Sequence, residues 1–306
     1  MKVSTMLTEI DELPSIRMGD VVLRLELDGP NEFSRGVAEK ELRETNEVKK
    51  KAIDELKNLL QKETDLMCPL ENEDWLVRFL RPTKFYPESA KELIKRYYSF
   101  KVKHHDVYNN LVPDNESNIF KSNILTVFSN RDQLGRRVLV IELGKKWNHK
   151  KVSLDEVFKG CVLFLEMALL ESDTQINGGV VIFDMDGLSL SQTMQFTPPF
   201  AKRIVDWLQD SVPLRVKAIH IVNQPKIFNI VFALFKPFLR EKLRSRIYFH
   251  GTDRDSLHQH MSPKVLPSCY GGILELKRPE GEEWYSILMK CSKEFQAINS
   301  YGYNKK

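Results

Sequence analysis

The chain has 306 residues, 42% of them hydrophobic and 29% charged, with 46 Lys or Arg against 42 Asp or Glu for a net charge of +4. Such a balance describes an ordinary globular chain with a large core and excludes disordered and collagenous classes. No apolar run reaches the roughly eighteen residues that span a bilayer, and "MKVSTMLTEIDELPS" has neither the basic flank nor the apolar stretch of a signal peptide, so a cytoplasmic protein is expected.

Residues 1–35, with Pro14, Gly19, Gly29, Pro30 and the alternating run "VVLRLEL", read as an extended arm holding one strand. From Ala38 to Tyr108 the pattern is helical. "VAEKELRETNEVKKKAIDELKNLLQKE" places Ile53, Leu56, Leu59 and Leu60 among charges, "NEDWLVRFLRPTKF" stops at Pro82, and "PESAKELIKRYYSFKVKHH" opens on Pro87, which suits the first helical position. A small helical bundle is predicted there.

After "NLVPDNES" short β-branched runs alternate with helical stretches. "NILTVFS" and "RRVLVIEL" are strands joined by a turn with Asp132 and Gly135, and "LDEVFKGCVLFLEMALLES" is a helix apolar on most faces. "GGVVIFD" and "VKAIHIVN" lack polar alternation, as strands covered on both sides do. "TPPFAKRIVDWLQDSVP" is an amphipathic helix, "RSRIYFHG" a strand, "DRDSLHQHM" a short helix, and one last helix runs from about Glu282 to Ser300. This alternation predicts an α/β sandwich with a largely parallel sheet, preceded by an all-α bundle.

Cys68, Cys161, Cys269 and Cys291 lie far apart with no C-x-x-C pair, against a zinc site and a disulfide framework; reduced thiols, mostly buried, are expected. His258 and His260 point to different helix faces and make a poor metal pair, so a solvated surface is expected for them, while His220 within an apolar strand reads as a core histidine. "VVIFDMDGLSL" ends a strand in Asp184-x-Asp186-Gly187, which resembles the metal-dependent haloacid-dehalogenase phosphatases. That chemistry also needs a later acidic cluster, a Ser/Thr and a Lys. The simpler role is a strand end whose acids hydrogen-bond the turn.

Between Ala201 and His250 there are ten Lys or Arg against three acids, so this stretch carries +7 and the remainder −3. The basic character is local, which favours one anion-facing surface over a nucleic-acid coat. Within it, "IFNIVFALFKPFLREKLRSR" joins nine large apolar residues, Ile227 to Leu239, to a basic tail. Each apolar side chain gains about 1.5–3 kcal/mol on burial, so such a surface needs a partner.

"WLVRFLRPTKFYPESAKELIKRYYSFK", "FDMDGLSLSQ", "PLRVKAIHIVNQPKIFNIVFALFKPFLREKLRSRIYFHG" and "LPSCYGG" together resemble the CRAL-TRIO lipid-binding family, most closely its tocopherol-transfer members, over residues 38–275 and in the family's order. The resemblance implies an arm (1–35), a helical domain (36–112), a lipid-binding sandwich (113–275) and a C-terminal helix (276–306). It further implies a sheet face flooring an apolar pocket beneath a mobile lid, here residues 223–246. The positions matching the family's pocket are Phe158, Cys161, Leu165, Gly179, Phe183, Ile204, Trp207, Leu208, Val212 and Leu214, with Phe228, Val231, Phe232 and Phe235 from the lid. Those matching its phosphoinositide contacts are Arg215, Lys217, Lys242 and Arg246; at about 1 kcal/mol each near an anionic surface they suit reversible docking.

Two departures stand out. Cys161 and Leu165 replace the small hydroxyl side chains of the tocopherol-transfer members, and Gly179 replaces a branched apolar residue. The ligand's polar group is then held differently, and tocopherol, retinoids, carotenoids, other isoprenoids and phospholipids all stay open. What the resemblance implies is a monomeric, non-enzymatic carrier without cofactor that exchanges a hydrophobic ligand at phosphoinositide membranes. The alternatives are the phosphatase using Asp184 and Asp186, and a lipid-sensing signalling adaptor without transfer activity.

Overall fold

Several helices of this chain start where the 3.6-residue apolar spacing meets a capping side chain. In the computed structural model, which describes residues 2–304, α1 (Glu32–Leu42) is capped by Asn31 and α2 (Asn46–Leu60) by Thr45, whose hydroxyl accepts from the Val48 N–H. α3 (Glu73–Leu80) starts on Asn72 and α4 (Pro87–Lys103) on Pro87. Ile53, Leu56 and Leu60 of α2, Trp75 and Phe79 of α3, and Ile94, Tyr97 and Tyr98 of α4 share one core.

The amino-terminal arm differs from the single extended strand expected of it, and α1 begins inside it. Two hairpins form, Val3–Ser4 with Glu9–Ile10 and Ser15–Met18 with Val21–Arg24. Met6 enters the bundle core, whereas Met18, Leu23 and Leu25 enter the core of the sheet domain. The arm is pinned at the far end of the chain, where the Glu294 carboxylate accepts from Thr5 Oγ1 (2.6 Å), Thr8 Oγ1 (2.9 Å) and the Leu7 N–H (2.9 Å). Those partly buried donors are satisfied across a separation of nearly the whole sequence, which no local pattern encodes.

The central sheet has five strands, β1 (Leu125–Val127), β2 (Arg137–Glu142), β3 (Gly179–Asp184), β4 (Val216–Val222) and β5 (Ile247–Gly251), in the order β5-β4-β3-β2-β1. β1 and β2 pair antiparallel and every other pair is parallel. The parallel connections carry α5 (Leu154–Ala168), α6 (Pro198–Asp206) and α7 (Phe228–Phe235). α5 starts with a capping box in which Ser153 and Glu156 satisfy each other's backbone N–H groups, and α6 has Pro198 in its first turn.

Register decides which side chains share a face. Leu139 aligns with Val181 and Ile219, and Ile141 with Phe183, on one side. Val138, Val140, Val180, Ile182, Ala218 and Val222 point the other way and pack on Leu257, Met261, Leu266 and Tyr270. Both faces are covered, as the unbroken apolar strands predict. The expected single C-terminal helix is divided at Cys291, whose backbone (φ −98°, ψ 9°) leaves the helical region, giving α8 (Gly281–Lys290) and α9 (Ser292–Ser300). Among the described residues no helix is long and apolar enough to cross a membrane.

Candidate functional site

An apolar cavity of about 160 Å³ lies on the sheet face that carries Leu139, Ile141, Val181, Phe183 and Ile219. α5 contributes Phe158, Cys161 and Leu165 to its wall. α6 contributes Ile204, then runs into a π-helical turn (Trp207–Ser211) that directs Trp207 and Leu208 inward. Leu214, Gly179 and Phe235 of α7 complete the residues expected from sequence. Four expected residues are not in the wall. Phe228 and Phe232 pack instead on Phe249 of β5, with ring centroids 6.4 and 4.8 Å apart, and Val212 and Val231 are buried in the surrounding core.

Phe183 and Gly179 of the floor belong to the expected set, whereas Leu139, Ile141, Val181 and Ile219, together with Phe196 and Phe200, do not. Their signal is the odd-numbered alternation along "RRVLVIEL" and "GGVVIFD", readable once one face is known to be the floor. Gly179 has no steric need to be glycine. A Cβ there would meet Leu214 at 3.4 Å, an ordinary contact, so the missing side chain enlarges the cavity. Burial pushes the Cys161 thiol up to about 12, which keeps it a protonated, weakly polar wall group.

One end of the cavity is polar: Arg137, Glu171 and Thr174 reach its wall. Glu171 accepts from Arg137 Nη2 (2.6 Å) and Nε (2.9 Å), from Arg131 (3.0 Å) and from the Thr174 hydroxyl (2.7 Å). Burial opposes its charge, yet Arg137 and Arg131 hold its carboxyl down to about 2. Every side of this carboxylate is bonded within the protein, so it closes the cavity with a fixed charge pair. At about 160 Å³ the cavity is smaller than the roughly 300–1,000 Å³ of sites that enclose drug-sized ligands. A ligand of that size needs more room than this cavity gives.

The expected basic residues come from the amino ends of two neighbouring parallel strands. Arg215 precedes β4, Lys217 lies within it and Arg246 precedes β5; the Arg246 guanidinium donates to the Val216 carbonyl (2.5 Å), between the other two. Lys217 is the extra residue of a β-bulge, because Gly179 aligns with Val216 and Val180 with Ala218. At Gly178 (φ +85°) a Cβ would stand 2.2 Å from the Arg215 carbonyl, so this close approach requires glycine. Burial, then Arg215, and more weakly Arg246, lower the Lys217 pKa. Lys242 is exposed on the short helix Glu241–Arg244 that ends the lid segment.

A CRAL/TRIO domain model matches residues 121–272 of this chain. A Homo sapiens protein called "Alpha-tocopherol transfer protein-like" is 34% identical over 259 residues, covering 84% of this chain and 75% of that one. The chain belongs to the CRAL/TRIO family. Clavesin-1 of Rattus norvegicus is 32% identical over 238 residues, 76% of this chain and 66% of that protein. The crystal structure of Sfh5 shares the fold of this CRAL/TRIO chain at a TM-score of 0.50 and 16% identity, over 83% of this chain and 99% of that one.

In this CRAL/TRIO chain the Asp184-x-Asp186-Gly187 strand end is used by the turn. Asp184 Oδ1 accepts from the Asp186 N–H (3.0 Å) and Asn223 (2.9 Å), Oδ2 accepts from the Tyr270 hydroxyl (3.1 Å), and Asp186 pairs with Lys145 (2.6 Å). His260 corrects the expectation of a solvated histidine pair. The chain turns back after the helix Arg254–His258 and lays the His260 ring 4.1 Å from that of Tyr248. Behind it, His220 Nδ1 and His250 Nε2 are 2.9 Å apart, on the face opposite the cavity.

Proposed function

We propose that this CRAL/TRIO protein is a non-enzymatic lipid carrier that holds an isoprenoid-type ligand, tocopherol-like in size, beneath α7 and exchanges it at phosphoinositide-containing membranes. The coarser part, a lipid-binding or lipid-transfer protein, is supported by family membership and by the apolar cavity. The finer part rests on one observation, the distribution of surface chemistry along the segment that covers that cavity. Ile230 of α7 is 55% exposed, and the short helix Leu190–Thr193 packed against α7 leaves Leu190 60% and the adjacent Met194 72% exposed. These lie at the carboxyl edge of the parallel strands. Arg215, Lys217 and Arg246 lie at the amino edge, and the segment between β4 and β5 crosses from one to the other. A flat anionic surface on this side of the molecule meets apolar side chains at one end and cations at the other, the two attractions that hold an interfacial helix.

Release follows if α7 gains more at the membrane than it loses on leaving the cavity, since only differential affinity moves such an equilibrium. Replacing Arg215, Lys217, Lys242 and Arg246 together with alanine is expected to abolish co-sedimentation with vesicles containing phosphatidylinositol bisphosphate. Unchanged co-sedimentation defeats the membrane reading. Vesicle binding without movement of ligand between two vesicle populations defeats the carrier reading in favour of a lipid-sensing adaptor.

A further inference from the structure

Two of the four cations assigned to headgroup binding, Arg215 and Lys217, are already paired with an acid from the amino-terminal region. Glu41, near the end of α1, places one carboxylate oxygen 2.5 Å from Arg215 Nη2 and 3.3 Å from Lys217 Nζ. The Arg215 hydrogen bond is the main reason the Glu41 pKa is lowered, so the carboxylate is charged at neutral pH. The other Arg215 nitrogen, Nη1, donates to the Ile176 carbonyl (2.8 Å), which fixes the guanidinium that Glu41 meets.

α1 is held in this position by contacts that do not involve Glu41. Ala38 and Leu42 pack with Ile176 in a small separate core. Asn31, the cap of α1, donates through its amide to Asp173 (2.7 Å), and Asn177 donates to Ser34 (2.8 Å). The helix is thus seated on the segment Ser172–Asn177 at both ends, and Glu41 is presented to the cations from a fixed platform. Glu41 itself is half-exposed and packs no core.

We propose that Glu41 is a specificity-determining residue for the basic cluster, an internal carboxylate that any membrane headgroup must displace, and that it thereby restricts docking to headgroups carrying phosphomonoesters. This rests on the phosphoinositide reading above and deepens it. A singly charged headgroup such as phosphatidylserine exchanges one carboxylate for another and gains little. A phosphomonoester brings about −1.5 to −2 of charge and three acceptor oxygens, enough to satisfy Arg215, Lys217 and Arg246 together. An acid in the cluster therefore separates strong from weak anions, a repulsive element against the wrong partner.

The test compares wild type, Glu41→Gln, Glu39→Gln and the fourfold alanine variant for binding to phosphatidylcholine vesicles doped with either phosphatidylserine or phosphatidylinositol bisphosphate. Glu39 lies on the same helix, is exposed, and makes the same change in net charge. Glu41→Gln is expected to raise affinity for phosphatidylserine vesicles about fivefold or more and to narrow the preference for the bisphosphate, while Glu39→Gln moves neither by more than about twofold. Equal effects of Glu41→Gln and Glu39→Gln, or no effect of either, overturn the proposal while loss of binding in the fourfold variant leaves the membrane reading standing. Retained binding in the fourfold variant overturns both.

Discussion

Glu166→Gln is expected to cost about 3–5 kcal/mol of stability, the range for removing one partner of a buried ion pair. Arg78 on α3 is fully buried, and its guanidinium pairs through Nη2 with Glu166 on α5; its Nε and Nη1 have no hydrogen-bond partner among the described residues. Glu166 also accepts from the Tyr97 hydroxyl (2.7 Å). Burial alone would raise the Glu166 pKa, but Arg78 and Lys101 hold it below the usual carboxylate range. The amide keeps the shape and removes the charge, so Arg78 is left buried without a counter-ion. Lys101, whose pKa burial lowers to about 8, loses an anion as well. Equilibrium urea unfolding at neutral pH gives the cost directly. The apolar pair Arg78→Met with Glu166→Leu is expected to recover part of that loss, because no buried guanidinium is left without a counter-ion, and to stay about 1–3 kcal/mol below wild type, because the Tyr97 hydroxyl loses its acceptor. A loss below about 0.5 kcal/mol for Glu166→Gln, in the range of ordinary surface changes, refutes the reasoning.

Gly179→Val is expected to leave the unfolding free energy within about 1 kcal/mol of wild type, since a Cβ meets nothing nearer than Leu214 at 3.4 Å and the Arg137 carbonyl at 3.7 Å; it should lower the amount of bound lipid, measured by extraction, because the side chain enters the cavity. Burial, reinforced by neighbouring histidines, holds His220 down to about 3 and His250 to about 4, against about 6.5 in the unfolded chain. The unfolded state therefore takes up protons first: their contribution is fully present above about pH 6.5 and is lost as pH falls from there through about 4 for His250 and about 3 for His220, on the order of 1 kcal/mol per pH unit for His220. Urea titrations at neutral and mildly acidic pH should show a smaller loss in His220→Asn than in wild type, and equal losses contradict the assignment.

The strands and most helices were legible because apolar period and capping residues act locally. "GGVVIFD" and "VKAIHIVN" read as covered strands, and Ser153 three residues before Glu156 marks the start of α5. The split character of Ile227 to Arg246 pointed to a surface with two partners. What could not be read depends on register and long separation. The bulge at Lys217, the pairing of Glu41 with Arg215 across 174 residues, and the anchoring of Thr5 and Thr8 on Glu294 are set by tertiary packing, which leaves no local spacing behind. The family resemblance places Phe228 and Phe232 at the cavity, but Phe249, exposed on an edge strand, competes for their rings. Arg137 reads like any strand residue, and its burial against Glu171 depends on a partner 34 residues on, in the connection from β2 to β3.

Native mass spectrometry of the protein purified without detergent tests the central claim most directly. The account predicts a population heavier than the chain by the mass of one hydrophobic molecule, converted to the bare mass by organic extraction and reduced in Gly179→Val. A single species at the bare mass, still unable to take up lipid after incubation with vesicles, contradicts it.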